Sequence, residues 1–230
     1  MHLLKSKNKI YFYIIIFFLL TSIINITIIN NFKKNFLINS IQINSNNNEI
    51  NQKIKNKIKY VLNKNIFLIE KELLYNNLDD LKFLENISIK KVYPSSLNVS
   101  ANKTKFIAIT YVNQKKYYIG ENGKFTNAKE FLSENELPII FGKFNIIEYL
   151  NLINILKKQG VKSDKINKLY FHKNKRWDIY FENNILIKLP NKNINDAIKL
   201  YNRFKSNKKL QDNTILDLRI PNRIILKNEW

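Results

Sequence analysis

The run "IYFYIIIFFLLTSIINITII", Ile10 to Ile29, carries no charged residue. About 20 such residues at a helical rise of ~1.5 Å reach across a hydrocarbon core of ~30 Å, so residues 10–30 are expected to form a transmembrane helix. Lys5, Lys7 and Lys9 precede the run, and Lys33 and Lys34 come after it. The short head, residues 1–9, is expected in the cytoplasm, with everything from about Phe36 onward on the far side of the membrane. The rival assignment is a cleaved signal peptide. Against it, the run is long for a signal core, and "SIINITIINNF" offers no small-x-small cleavage pattern.

Composition bounds the chain beyond the anchor. There are 230 residues, 45% of them hydrophobic, enough for one or two ordinary domains with packed cores. Cysteine is absent, which removes disulfides, thiolate nucleophiles and thiolate metal sites. A net charge of +21 would by itself suggest a polyanionic partner. The lysines are scattered, however, and Lys, Asn and Ile are the residues that AT-rich codons favour. No nucleic-acid recognition motif accompanies them, so no specific nucleic acid is expected as a partner.

Beyond the anchor, "NFLINSIQI" reads as a strand. "NNNEINQKIKNKIKYVL" reads as an amphipathic helix, with Ile50, Ile54, Ile58, Val61 and Leu62 on one face and Asn47 or Asn48 as its cap. A second helix fits "LIEKELLYNNL". Two alternating strands come next, one through Ile87 and Ile89 and one through Leu97, Val99 and Ala101, with a turn at Pro94–Ser96. Strand, helix, helix, strand, strand makes a compact α+β module. The chain closes with two apolar runs, Ile215–Ile220 and Arg223–Leu226, split by Pro221 and Asn222, which reads as strand, tight turn, strand. A strand at the end of a chain is assured of a neighbour on only one side.

The stretch "NIFLIEKELLYNNLDDLKFLENISIKKVYPSSLNVSANKT", directly after a single anchor, resembles the POTRA domain of the FtsQ/DivIB family of bacterial cell-division proteins, with Tyr93-Pro94 as its aromatic-Pro turn. The remainder agrees in order. "KYYIGENGKFT" is similar to the family's hairpin, with Asn122-Gly123 at the turn, and "LPIIFGKFN" to its connection. "IIEYLNLINILKKQG" reads as a helix closed by Gly160. "KRWDIYFENNILIKLPNKNINDAIKLYNRFK" reads as a strand, a turn at Asn183-Asn184, a strand, and a helix capped by Asn193. "ILDLRIPNRIILK" looks like the family's terminal signature, with Arg223 where Gly is usual.

The resemblance implies an α+β chain in four parts: a tail at 1–9, a transmembrane helix at 10–30, a POTRA-like β-α-α-β-β domain at 36–105, and a mostly antiparallel β domain with flanking helices at 106–230. It implies a bitopic inner-membrane scaffold of the division septum with its C-terminal domains in the periplasm. Such a scaffold binds small coiled-coil division proteins of the FtsB/FtsL type, along with other divisome proteins, and helps control septal peptidoglycan synthesis. The family binds its small partner through the terminal strand and nearby arginines. Carried over, the partner-binding residues are Arg176, Arg219, Ile220, Asn222, Arg223, Ile224, Ile225 and Leu226. The two arginines would grip an acidic residue of the partner, unless Arg219 simply pairs with Asp217 in solvent. The rival function is that of another POTRA-bearing, membrane-anchored protein of envelope secretion or assembly.

The residue inventory points away from catalysis. His2 and His172 are the only histidines, too few to complete either a Ser-His-Asp triad or a multi-His metal site, and four glycines leave no phosphate loop. Asp79-Asp80 and Glu134 with Glu136 read as solvated loop and helix-end residues, and Trp177, Ile179 and Phe181 as core. No enzyme activity, cofactor or metal is expected. A diffuse polycation binds DNA weakly and without sequence preference, so any binding seen at low salt should vanish by ~0.2 M salt in a filter assay. Sequence-selective binding that survived that salt would contradict the scaffold reading.

Overall fold

The computed structural model describes residues 3–22, 34–131, 137–207 and 211–228. The first helix, α1, spans Leu3–Ser22. It starts before the apolar run and takes Lys5, Lys7 and Lys9 into its first turns, because a helix continues its hydrogen-bond ladder regardless of where a membrane boundary would fall. Residues 23–30, the last part of the expected span, lie outside the described residues. Among the described residues no helix is long and apolar enough to cross a membrane.

The chain divides into two compact units, Met1–Asp80 with Asn86–Asn102, and Leu81–Glu85 with Lys103–Trp230. In the first, β1 (Ser40–Asn44) runs parallel to β3 (Ser96–Lys103), and β2 (Leu84–Val92) completes a sheet of order β1-β3-β2. Between β1 and β2 come α2 (Asn48–Ile58) and α3 (Lys71–Asp79), which gives the β-α-α-β-β order. The Asn47 side chain accepts from the Glu49 N–H at 2.7 Å and so caps α2. Ile50, Ile54 and Ile58 recur every fourth residue and are fully buried, as are Leu78, Leu97 and Val99. Each such side chain contributes roughly 1.5 to 3 kcal/mol relative to exposure.

The second unit holds a nine-stranded sheet of order β12-β11-β10-β9-β8-β7-β4-β5-β6. Its strands are β4 (Phe106–Val112), β5 (Lys115–Gly120), β6 (Phe125–Asn127), β7 (Ile139–Phe141), β8 (Ile166–Phe171), β9 (Trp177–Phe181), β10 (Leu186–Lys188), β11 (Thr214–Asp217) and β12 (Ile225–Asn228). The sheet is mixed rather than simply antiparallel. The pairs β4–β7, β7–β8 and β10–β11 are parallel, and the other five are antiparallel. Two of the parallel pairs are helix crossovers, β7 to β8 through α4 (Ile146–Lys158) and β10 to β11 through α5 (Ile194–Asn207). A parallel partner cannot be reached by a tight turn, so a helix must carry the chain back. Tyr149, Leu152 and Leu156 of α4 and Ile198 and Tyr201 of α5 bury against Trp177, Ile179, Ile187, Leu216 and Leu218.

With four glycines in the chain, most left-handed turn positions fall to asparagine, the residue that best tolerates positive φ after glycine. Asn113, Asn184, Asn213 and Asn222 all have φ between 49° and 63°. Asn193 is another: with φ +56°, its backbone carbonyl accepts from the Asp196 and Ala197 N–H groups at the start of α5. Gly160 closes α4 as expected, with the Val161 N–H reaching back to the Leu156 carbonyl at 2.9 Å. Gly142 answers a steric demand as well: φ is +99°, and a Cβ there would lie 2.2 Å from the Phe171 carbonyl oxygen. Gly142→Ala should therefore cost on the order of 2 to 5 kcal/mol. Gly160→Ala, whose Cβ would meet open space, should cost about 1 kcal/mol. Denaturant unfolding of the two variants checks this, and equal costs would contradict it.

Candidate partner-binding edge

The sheet ends at β12, which pairs antiparallel with β11 in the register Thr214↔Asn228, Ile215↔Lys227, Leu216↔Leu226 and Asp217↔Ile225. No described residue pairs with its outer edge. The strand starts at Ile225, two residues later than the alternation in the sequence suggests. Arg223 is used instead to close the turn, its N–H donating to the Ile220 carbonyl at 3.2 Å, with Asn222 at φ +58°. Ile224 is half-buried against the core, where with Leu200, Arg203, Phe204 and Asn207 it lines a groove of about 330 Å³. Ile225 and Leu226 are 40% and 45% exposed, and Ile220 at the turn is also exposed. Of the eight residues singled out from the sequence, Ile225 and Leu226 thus sit on the edge strand itself, while Ile220, Asn222, Arg223 and Ile224 form the connection leading into it.

The face of the sheet turned away from α4 and α5 carries a row of charge. Lys188 of β10 is opposite Asp178 of β9 on one side and Asp217 of β11 on the other. Strand alternation puts Arg176 on the same face as Asp178. Arg219 reaches this face past the end of β11, where its guanidinium grips Asp217: Nε donates to Oδ1 at 2.7 Å and to Oδ2 at 2.8 Å, and Nη2 also donates to Oδ2. The Arg219 backbone N–H donates to the same carboxylate at 3.1 Å. In the free chain, then, Arg219 is held by Asp217, and an incoming carboxylate would have to share or displace that partner. At the other end of the row, Asp178 is almost buried. Its Oδ2 lies 2.9 Å from His172 Nε2, and its Oδ1 is 3.5 Å from Arg176 Nε, close enough for attraction but without a hydrogen bond.

The side-chain hydrogen bonds from Arg219 hold the Asp217 carboxyl below its ordinary pKa, assisted by the charges of Arg219 and Lys188 and opposed by partial burial. The Arg219 guanidinium is pushed up in turn, first by its hydrogen bond to Asp217 and then by the charges of Asp217 and Asp178. Asp178, Lys188 and His172 were not among the residues that the sequence suggested for this site. The available signal was the spacing of Arg176 and Asp178, two apart in a strand and therefore on one face. His2, Glu134 and Glu136 lie outside the described residues.

Residues 108–219 match the sequence profile of the family described as cell division protein FtsQ/DivIB, C-terminal. The matched span ends at Arg219, ahead of β12. The chain is 26% identical over 164 residues to the cell division protein FtsQ of Rickettsia bellii, covering 70% of this chain and 61% of that protein. To the FtsQ of Rickettsia typhi it is 27% identical over 173 residues, covering 73% and 65%. The chain thus spans less than two thirds of the length of either relative. The major extracytoplasmic domain of DivIB from Geobacillus stearothermophilus overlays on 47% of this chain and 98% of its own with a TM-score of 0.31 and 12% identity. These sequence matches are all to bacterial cell-division proteins. The similarity is to the C-terminal region of the FtsQ/DivIB family and to proteins named FtsQ.

The Arg219–Asp217 contact has a pH signature. A carboxyl whose pKa is depressed in the folded state adds stability above its unfolded pKa of ~3.9, and that stability is lost as pH falls through the folded value. The melting temperature of Asp217→Asn should accordingly fall less steeply between pH 5 and pH 3 than that of the parent, on the order-of-magnitude pKa scale for carboxylates. Parallel acid limbs would show that the contact does not discriminate between the folded and unfolded states.

Proposed function

We propose that the chain is a bitopic inner-membrane scaffold of the division septum. In this reading Ile10–Ile29 anchors it, the N-terminus is cytoplasmic, and both units lie in the periplasm. The β-α-α-β-β unit is the POTRA-like domain. The nine-stranded unit docks small single-span partners of the FtsB/FtsL type, alongside other divisome proteins, and through them helps control septal peptidoglycan synthesis. The scaffold works by binding, without catalysis.

The observation that carries this proposal is the terminal strand β12, whose outer edge is unpaired among the described residues, beside Arg219, with Arg176 three strands further in on the same face. Such an edge supports β-augmentation: its main-chain N–H and C=O groups bond an added strand, and the flanking side chains select which strand is accepted. Arg219 would supply a charge-assisted contact to an acidic residue of that strand, and Arg176, toward β9, could reach only a part of the partner lying over the sheet face.

Ile225→Lys puts a charge on the exposed edge without touching the core, and Arg219→Ala removes one of the gripping groups. Both should weaken capture of the small division partners from solubilised membranes, Arg219→Ala by on the order of 1.5 to 3 kcal/mol, the range for a hydrogen bond to a charged group. For Ile225→Lys the melting temperature should stay close to that of the parent. Full retention of the partners by both folded variants would show that the edge faces only water.

A further inference from the structure

Phe36, Phe67 and Tyr93 meet on the surface of the first unit. The Phe36 and Phe67 ring centroids are 4.9 Å apart, and Phe67 stacks on Tyr93 at 5.1 Å. Phe67 is 56% exposed, Tyr93 54% and the adjacent Leu68 81%. The cluster is fixed by backbone bonds rather than by chance proximity of loops. The Ile66 N–H donates to the Phe36 carbonyl at 2.8 Å, and the Asn39 N–H to the Ser95 carbonyl at 2.9 Å. The Asn65 side chain accepts from the Phe67 N–H at 2.9 Å. A rigid, exposed cluster of this kind marks a surface that is covered in use.

The chain itself indicates what covers it. Phe36 is separated from the apolar run Ile10–Ile29 only by the segment 30–35, so that even a fully extended chain puts it no more than ~25 Å from Ile29. The cluster therefore begins within one short tether of the membrane in which the run would be inserted. Tyrosine suits the boundary between headgroups and acyl chains, where its apolar ring and polar hydroxyl are both accommodated, and phenylalanine and leucine suit its acyl side. Lys33 and Lys34 in the tether, Lys64 beside Asn65, and Lys90 and Lys91 ahead of Tyr93 supply positive charge for anionic headgroups, against Glu70 as the nearest acid in sequence.

We propose that Phe36, Phe67, Leu68 and Tyr93 form a membrane-contact face that seats the first unit on the outer surface of the bilayer. The proposal rests on the inserted anchor of the proposed function. Contact with lipid at a second point restricts the swing of the unit about its tether.

The absence of cysteine allows a single nitroxide label at any chosen position of the full chain. Phe17→Cys reports the anchor, Leu68→Cys the proposed face, and Lys55→Cys an exposed point on α2. The labelled proteins are reconstituted into vesicles of phosphatidylethanolamine and phosphatidylglycerol, and each label's collision rate with oxygen is compared with that of a water-soluble nickel chelate. The expected result is a label at 17 that meets oxygen and little nickel, a label at 68 several-fold less open to nickel than the label at 55, and loss of that shielding when Phe67→Ser and Tyr93→Ser are added. A label at 17 buried in lipid with a label at 68 as open to nickel as that at 55 overturns the contact face and leaves the anchor standing. A label at 17 open to nickel refutes the anchor and the contact face together. Shielding at 68 that survives the two serine substitutions assigns it to another source, such as a second copy of the chain, and also overturns the proposal.

Discussion

The parallel pairing of β11 with β10 is the contact on which the terminal edge depends. β12 has no other described strand to lean on, so its position is set by how firmly β11 is held. Four residues of β11 achieve this with few hydrogen bonds, extended by the Leu218 N–H donating to the Lys188 carbonyl at 2.9 Å. Leu216 and Leu218 add burial against α5 and the central strands. Helix α5 is therefore a structural requirement of the edge: it is the crossover that returns the chain in the parallel sense, and its buried face presses β11 onto the sheet.

The short ion pair at the end of β11 has a related effect. Asp217, the last residue of β11, and Arg219 fold back on one another across Leu218, where the chain leaves the strand for the turn that leads to β12. An exposed ion pair of this kind contributes little to global stability. Its consequence is local, since it orients a guanidinium beside the free edge before any partner arrives. With Lys188 between two carboxylates and Arg176 at the far end, the face has alternating charge rather than a simple basic patch. In the proposed function a partner docking here would have to match a pattern, which favours selectivity over raw attraction.

Much of the secondary structure was legible in the sequence because its signals are local. The isoleucine spacing of α2, its Asn47 cap, the turn at Asn183-Asn184 and the close of α4 at Gly160 each depend on residues within one or two turns of each other. The parallel pairings of β7 with β4 and β8 were not legible, because a three-residue strand such as Ile139–Phe141 carries no mark of which neighbour it will meet. The start of β12 was misplaced for a different reason. Arg223 and Ile224 continue the apolar alternation, but one is spent closing the turn and the other packs under α5, and alternation alone cannot distinguish a strand from such a connection. At the candidate site the terminal strand and the two arginines were anticipated, whereas Asp178 and Lys188 emerge only once the register sets them side by side. The exposed aromatic cluster was hidden for the same reason, since Phe36, Phe67 and Tyr93 are far apart in the chain.

The central claim is that the outer edge of β12 is where another chain adds a strand, and amide hydrogen exchange reads that edge directly. The full chain is reconstituted in vesicles, and exchange at Ile225–Asn228 is monitored with and without its co-reconstituted small division partners. The account predicts that the N–H groups pointing away from β11 exchange rapidly in the chain alone and become protected when the partners are present, while β4 to β6 at the opposite end of the sheet are unchanged. Exchange at Ile225–Asn228 that stays the same on stable binding of the partners would contradict it.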